Sequence, residues 1–239
     1  MPYEAILFDL DGTLIYFEPQ QFIKTYLGAA ARFFIDLIPN SERFYQELLK
    51  STDVMEYSDN GSTTALEDFL QDFCPKFNVD CDKIASRFLT FYQSKFDVIQ
   101  PLISQIDGAK NLLEGLRRNY PEMKLILATN PVFPFIAVQK RMIWGNISED
   151  YFDLITHAEN SYFCKPNEKY WTDIANNMDI DPNKSLMIGN DAFRDMLAKK
   201  FGYQTYLLET AAENEETITE ETEPDFRGSM QDLSNFLIS

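Results

Sequence analysis

Apolar and polar positions divide the chain into stretches of different period. Residues 4–8, Glu-Ala-Ile-Leu-Phe, are a short apolar run that ends in Asp9-Leu10-Asp11-Gly12-Thr13. A continuous apolar run closed by turn residues predicts a buried strand. After Pro19 the period changes. Phe22, Tyr26, Ala30, Phe33, Phe34 and Leu37 recur every three or four residues, which predicts one buried helix face. Pro39-Asn40-Ser41 interrupts that face, and a second helix is expected over 42–50 with Phe44, Leu48 and Leu49 apolar. Residues 58–64 read as a loop centred on Asn60-Gly61. Helical spacing returns with Leu66, Phe69, Leu70 and Phe73, and again with Ile84, Phe88, Leu89 and Phe91. Residues from about 18 to 96 therefore read as all-helical, with no clear strand.

Beyond Pro101 helices and strands alternate. Helices are expected near 107–119, 133–143, 167–178 and 191–201, and strands at 124–128, 152–156, 185–188 and 203–208. Repeated alternation with apolar strands predicts an α/β fold, a Rossmann-like parallel sheet covered by helices on both faces. The first strand must join that sheet across the helical stretch. The expected domains are a discontinuous α/β core, residues 1–17 and 98–239, and a helical module, residues 18–97. Met230, Leu233, Phe236 and Leu237 suggest a short closing helix.

Charge narrows the partners. The chain of 239 residues carries a formal net charge of −17. Such a surface repels polyanions, so nucleic-acid polymers and anionic membranes are excluded as default partners. Eight acidic residues and only Arg227 of opposite sign lie in residues 210–239, a local net charge of −7. The stretch from Glu213 to Asp225 has little apolar content beyond Ile218 and is expected to be a solvated loop outside the chemistry. No run approaches the roughly 20 apolar residues of a membrane span. The three cysteines, Cys74, Cys81 and Cys164, match no disulfide framework or zinc spacing, and are expected as free thiols in a reducing compartment. With no signal peptide, the expected location is cytoplasmic. His157 is the sole imidazole. It follows an apolar run, so it is expected to be structural, and acid–base work falls to carboxylates.

Four polar elements lie at or beyond expected strand ends. Asp9-Leu10-Asp11-Gly12-Thr13 follows the first strand, and Gly12 permits a turn that could aim both carboxylates into one pocket. Thr129-Asn130 follows residues 125–128. Lys165-Pro166 lies in the loop after 152–156. Gly189-Asn190-Asp191, with Asp195 four residues on, follows 185–188. Taken singly, Thr129 is an ordinary turn residue, Lys165 a loop lysine and Asp191 a helix N-cap. In an open parallel sheet, however, ligands bind beyond the carboxyl ends of the strands, where all four elements would converge.

This arrangement resembles the haloacid dehalogenase superfamily of hydrolases, whose four motifs appear here in the family's order. The resemblance covers about residues 1–18 and 98–210. The helical module resembles the family's cap of the first type, and the 36 positions from Thr129 to Lys165 leave no room for the other common cap site. The resemblance implies that Asp9 is the nucleophile, Asp11 the general acid–base, Thr129 a phosphate-binding hydroxyl and Lys165 the cation that neutralises nucleophile and phosphate. Gly12, Asn130 and Lys165 complete the implied phosphate site. It also implies a Mg²⁺ ion held by Asp9, the backbone carbonyl of Asp11, and Asp191. One position departs from the family: Asn190 stands where many members have Asp, so Asp195 is expected to orient Lys165 from behind the ion and Asn190 to serve as a neutral ligand or a hydrogen-bond donor, which leaves two registers for the metal site.

The implied reaction is Mg²⁺-dependent hydrolysis of a small phosphorylated metabolite through an aspartyl-phosphate. Asp11 argues against dehalogenation, because halide leaves without a proton. The alternatives are a sugar-phosphate mutase of the same family and a catalytically silent interaction protein. Substrate choice is expected to lie in the helical module, where Gln20, Lys24, Arg32 and Arg43 are polar candidates. Residues 14–19 and 98–101 are candidate hinges. The pattern carries no signal for oligomeric state.

Overall fold

The computed structural model describes residues 3–238. Its centre is a six-stranded sheet built from β1 (Ala5–Phe8), β4 (Lys124–Leu127), β5 (Leu154–Ile155), β6 (Ser185–Gly189), β7 (Gln204–Leu208) and β8 (Phe226–Gly228). The order is β5-β4-β1-β6-β7-β8, and every neighbouring pair is parallel. β1 lies between β4 and β6, so the chain winds outward on either side of it. The carboxyl end of β1 is thus the switch point where such sheets open a crevice.

Side-chain alternation assigns each strand residue to a face. Ile6, Phe8, Leu125, Leu127, Leu186 and Ile188 pack with α5 (Ala109–Asn119), α6 (Phe135–Trp144) and α8 (Met230–Ile238). Ala5, Leu7, Ile126 and Met187 pack with Tyr170, Trp171 and Ile174 of α7 (Glu168–Met178) on the opposite face. A sheet covered on both faces is why its strands read as unbroken apolar runs rather than alternating ones.

Between β1 and β4 the chain leaves the sheet through β2 (Ile15–Tyr16) and returns through β3 (Ser104–Gln105), which pair antiparallel. Of the segments expected as hinges, residues 14–19 contain β2 and are tied to β3, while residues 98–101 lie before the ribbon in a 3-10 segment, Phe96–Leu102. Four helices lie between them: α1 (Pro19–Phe34), α2 (Ser41–Glu56), α3 (Ala65–Phe73) and α4 (Cys81–Ser94). Pro19 sits at the start of α1, where a missing N–H costs nothing. Asn40 caps α2, and Thr64 with Glu67 forms a capping box on α3. Phe34, Phe44, Phe73 and Phe88 pack against one another, so these aromatics are core residues.

The structure corrects several expectations. α2 runs to Glu56 rather than ending near residue 50, because Ser51 and Met55 continue its buried face. The helix expected over 191–201 is a turn followed by a 3-10 segment, Met196–Phe201. β2, β3 and β8 are too short to leave a periodic signal. Cys74 and Cys81 form a disulfide, with Cα atoms 5.3 Å apart, and only Cys164 is a free, buried thiol. The reversal between α3 and α4 brings the pair together, which removes the free-thiol argument for a reducing compartment. The acidic segment is not remote either. The Glu213 N–H donates to the Asn190 carbonyl at 2.9 Å, and its carbonyl accepts from the Ala192 N–H at 3.0 Å. Among the described residues, no helix is long and apolar enough to cross a membrane.

Candidate active site

Asp9, Asp11, Gly12, Thr129, Asn130, Lys165, Asn190, Asp191 and Asp195 all line one cavity of about 210 Å³ at the carboxyl end of the sheet. Each is carried there by the strand before it. The Asp9 N–H still bonds the Ile188 carbonyl at 2.9 Å, and the Ala128 N–H bonds that of Phe8 at 2.8 Å, so the sheet ladder sets the height of both loops. Two glycines let the loops close. Gly12 has φ +81°, and a Cβ there would collide with the Asn190 side chain. A Cβ on Gly189 would collide with the Asp195 carboxylate.

Lys165 is the centre of the site. It is 1% exposed, and its Nζ lies 3.0 Å from Asp9 Oδ1 and 2.5 Å from Asp195 Oδ1. Burial alone would push the ammonium pKa down, but the Asp195 and Asp9 carboxylates more than offset this and hold it charged. Burial pushes the Asp9 carboxyl well above its ordinary range; Lys165 opposes that shift, while Asp195 and Asp11 add to it. Asp195 is likewise raised by burial, against the pull of Lys165. Asp195 Oδ2 accepts from the Asp191 N–H at 3.1 Å. It thereby links the fourth motif to the lysine.

Other residues behave less simply. Thr129 is buried, with its carbonyl held by the hydroxyls of Thr156 at 2.7 Å and Tyr170 at 3.0 Å. The Asn130 amide is engaged at both ends. Its Nδ2 donates to Glu56 Oε1 at 2.9 Å, and its Oδ1 accepts from the Lys165 N–H at 3.1 Å. Asn190 is held similarly, by the Thr13 hydroxyl at 3.3 Å and the Ala211 carbonyl at 2.8 Å. Asp191 Oδ1 accepts from the Phe193 and Arg194 N–H groups and from Asn214 Nδ2, and Oδ2 pairs with Arg194 Nη1 at 2.9 Å.

A hard divalent cation is the cofactor that the resemblance implies. The groups in the cavity that could ligate an ion are carboxylate, amide and hydroxyl oxygens, with no thiol or imidazole among them, as such an ion prefers, and Asp11 Oδ1 is buried without a partner. These residues fit the ion. Asp191 fits only by giving up Arg194, and among the described residues no three acidic, thiol or imidazole side chains already form a metal cluster.

Four functional candidates escaped the sequence reading. Arg141, buried on α6, pairs with Asp11 Oδ2, and its guanidinium lies 4.7 Å over the Phe133 ring. Its signal was available, since 137, 138, 141 and 142 form the buried stripe of α6 and a cation sits in it. Glu56, from the end of α2, accepts from Arg194 Nε at 3.0 Å and ion-pairs with Nη2 at 2.9 Å. Arg194 stands between Asp191 and Asp195 in the sequence and could have been noticed there. Glu213 lines the cavity mouth. Burial pushes its pKa up, with Asp191 adding to the rise. In contrast, Gln20, Lys24, Arg32 and Arg43 line no part of this cavity; Arg43 covers the Phe77 ring and bonds the Lys76 carbonyl. His157 bonds Glu159 at 2.8 Å, away from the cavity.

The model of the haloacid dehalogenase-like hydrolases matches residues 3–200. The chain belongs to that family. A curated relative of this hydrolase is the pyrimidine 5'-nucleotidase YjjG of Escherichia coli (strain K12), 29% identical over an alignment of 206 residues that covers 82% of this chain and 81% of that protein. Two solved structures share the hydrolase fold. The HAD phosphatase from Thermococcus onnurineus is 19% identical with a TM-score of 0.59, covering 98% of this chain and 97% of its own. The L-2-haloacid dehalogenase from Xanthobacter autotrophicus is 15% identical with a TM-score of 0.56, covering 98% of each.

Proposed function

We propose that this hydrolase is a Mg²⁺-dependent phosphatase acting on a small phosphate monoester, with residues 18–97 as a cap over the core. The observation that carries the reading is Lys165, buried between Asp9 and Asp195 at the floor of a cavity that also holds Asp11. Asp9 presents a carboxylate to phosphorus, and Lys165 offsets its repulsion from the phosphate dianion. Attack by an Asp9 oxygen forms the aspartyl-phosphate and breaks the bond to the leaving oxygen. Asp11 gives that oxygen a proton. Arg141 holds one Asp11 oxygen and leaves Oδ1 open to carry it. Water then attacks phosphorus, Asp11 takes its proton, and Asp9 is released with inorganic phosphate. A Mg²⁺ held by Asp9, the backbone carbonyl of Asp11, and Asp191 would supply further positive charge at the transferring group. The presence of Asp11 favours phosphate esters over haloacids, since only the former need a proton on the leaving group.

The test is phosphate release from 4-nitrophenyl phosphate. The expected result is Mg²⁺-dependent turnover that disappears in Asp9→Asn, with a phosphorylated Asp9 peptide trapped in the wild type by acid quench and mass spectrometry. Turnover that survives in Asp9→Asn, or survives a magnesium chelator, overturns the reading.

A further inference from the structure

Arg194 lines the candidate site half-buried, and both sides of its guanidinium are occupied. Nη1 lies 2.9 Å from Asp191 Oδ2 on the core. Nε and Nη2 lie 3.0 and 2.9 Å from Oε1 of Glu56, at the end of α2 in the helical insertion. One cation thus bridges the fourth motif and the insertion.

The bridge stands where the divalent ion is expected. Asp191 Oδ1 is filled by the Phe193 N–H at 2.9 Å, the Arg194 N–H at 3.1 Å and Asn214 Nδ2 at 2.9 Å. Oδ2 is the oxygen left to turn toward an ion, and Arg194 covers it. Two cations at one oxygen repel each other. Glu56 offers the arginine another place. The Nε–Nη2 edge already faces Glu56, with both donors on Oε1; among the described residues, Oε2 accepts no hydrogen bond. A guanidinium edge matches two carboxylate oxygens better than one, so release from Asp191 lets the same edge pair with both.

The insertion also meets the core at the start of α3. The Ala65 N–H donates to the Ser161 carbonyl at 2.8 Å, and the Leu66 N–H to that of Ala158 at 2.9 Å. These first donors of a helix have no partner within it, so they are shielded from water only while the insertion sits on the core.

We infer that Arg194 is the metal's placeholder: it neutralises Asp191 while the ion is absent and moves wholly onto Glu56 when the ion is bound, which tightens the insertion on the core. The inference rests on the magnesium reading above and adds that metal loading and docking of the insertion are coupled. Such a coupling is reciprocal and typically worth about 5- to 150-fold in affinity.

The experiment titrates Mg²⁺ alone into the full chain by calorimetry, with no substrate present. Arg194→Met removes the competitor and keeps an apolar stem, and should bind Mg²⁺ about tenfold more tightly than the wild type. Arg194→Gln takes its place if Met disturbs folding. Glu56→Gln leaves Arg194 only Asp191 and should bind the ion about tenfold more weakly. Added to Arg194→Met, Glu56→Gln should change nothing, whereas a carboxylate acting only through its charge would weaken binding in both backgrounds. Hydrogen exchange on the same proteins gives a second readout. Mg²⁺ should slow exchange at Ala65 and Leu66 about tenfold in the wild type and leave it unchanged in Arg194→Met. Equal Mg²⁺ affinity of the wild type and Arg194→Met, or an equal loss from Glu56→Gln in both backgrounds, overturns the inference and leaves the magnesium reading standing. Mg²⁺ that binds neither the wild type nor Arg194→Met rejects both.

Discussion

Arg141 and Asp11 stand 130 residues apart in sequence and form an ion pair behind the candidate-site cavity, which Asp11 lines. Arg141 is 1% exposed, and its Nη2 has no partner, as is also true of Asp11 Oδ1. Packing on the Phe133 ring and a bond from Nε to the Ala137 carbonyl fix the guanidinium. The pair therefore orients Asp11 from behind. Arg141→Met should lower kcat about 10- to 100-fold, within the usual worth of a general acid. The loss should be greater for an alkyl phosphate than for an aryl phosphate, whose leaving group needs less help from a proton. Equal losses for both esters, measured side by side with Arg141→Lys, would mean that Arg141 only packs.

The parts of the site that were legible in the sequence are those set by local chain order. Asp9, Thr129 and Gly189-Asn190-Asp191 each follow an apolar strand, and parallel pairing of those strands brings them together without further information. Lys165 was legible from its place in the loop after β5. The unread parts depend on contacts between distant segments. Glu56 reaches the site only because α2 continues past residue 50, and Glu213 because β7 delivers its following loop beside Asn190. The Cys74–Cys81 bond depends on the angle between two helices, which spacing alone does not give.

Magnesium should stabilise the folded protein more at pH 8 than at pH 5. The Asp9 carboxyl has a folded pKa raised by burial above the unfolded value of about 3.9. A group raised in this direction adds stability below its unfolded pKa and loses it as the pH rises through its folded one. Between the unfolded and the folded pKa the native state keeps a proton that the unfolded chain gives up, so stability falls as the pH rises, and a divalent cation that takes the proton's place offsets the loss. The measurement is the Tm gain on adding Mg²⁺ at each pH. Asp9→Asn should flatten the difference, and a gain that shrinks with rising pH would contradict the account.

The thiols should differ sharply in reactivity. Burial pushes the Cys164 thiol far up, so it holds its proton and resists alkylation at pH 8. Native protein without reductant should take up no iodoacetamide over minutes. Unfolded protein should take up one equivalent without reductant and three with it. Three labels on unfolded, unreduced protein would show Cys74 and Cys81 free. Rapid labelling of the native protein would show Cys164 accessible.

A chain of polar contacts through Glu56 and Asn130 joins the helical insertion to Lys165. Glu56 Oε1 accepts from Asn130 Nδ2 and from Arg194 Nε, while Asn130 Oδ1 accepts from the Lys165 N–H. Glu56 is 8% exposed, and it and Asp191 hold the Arg194 charge; burial lowers that pKa, but the two carboxylates raise it further. Losing the Glu56 carboxylate should therefore disturb both the lysine loop and the fourth motif. Glu56→Ala should raise KM about tenfold, because the insertion is no longer held over the phosphate site. Groups that share one network do not contribute independently. Glu56→Ala and Arg194→Ala should accordingly show a coupling energy of about 1–3 kcal/mol in denaturant unfolding of the four proteins of the cycle. Strict additivity in both unfolding and KM would mean that Glu56 plays no part in holding the site together.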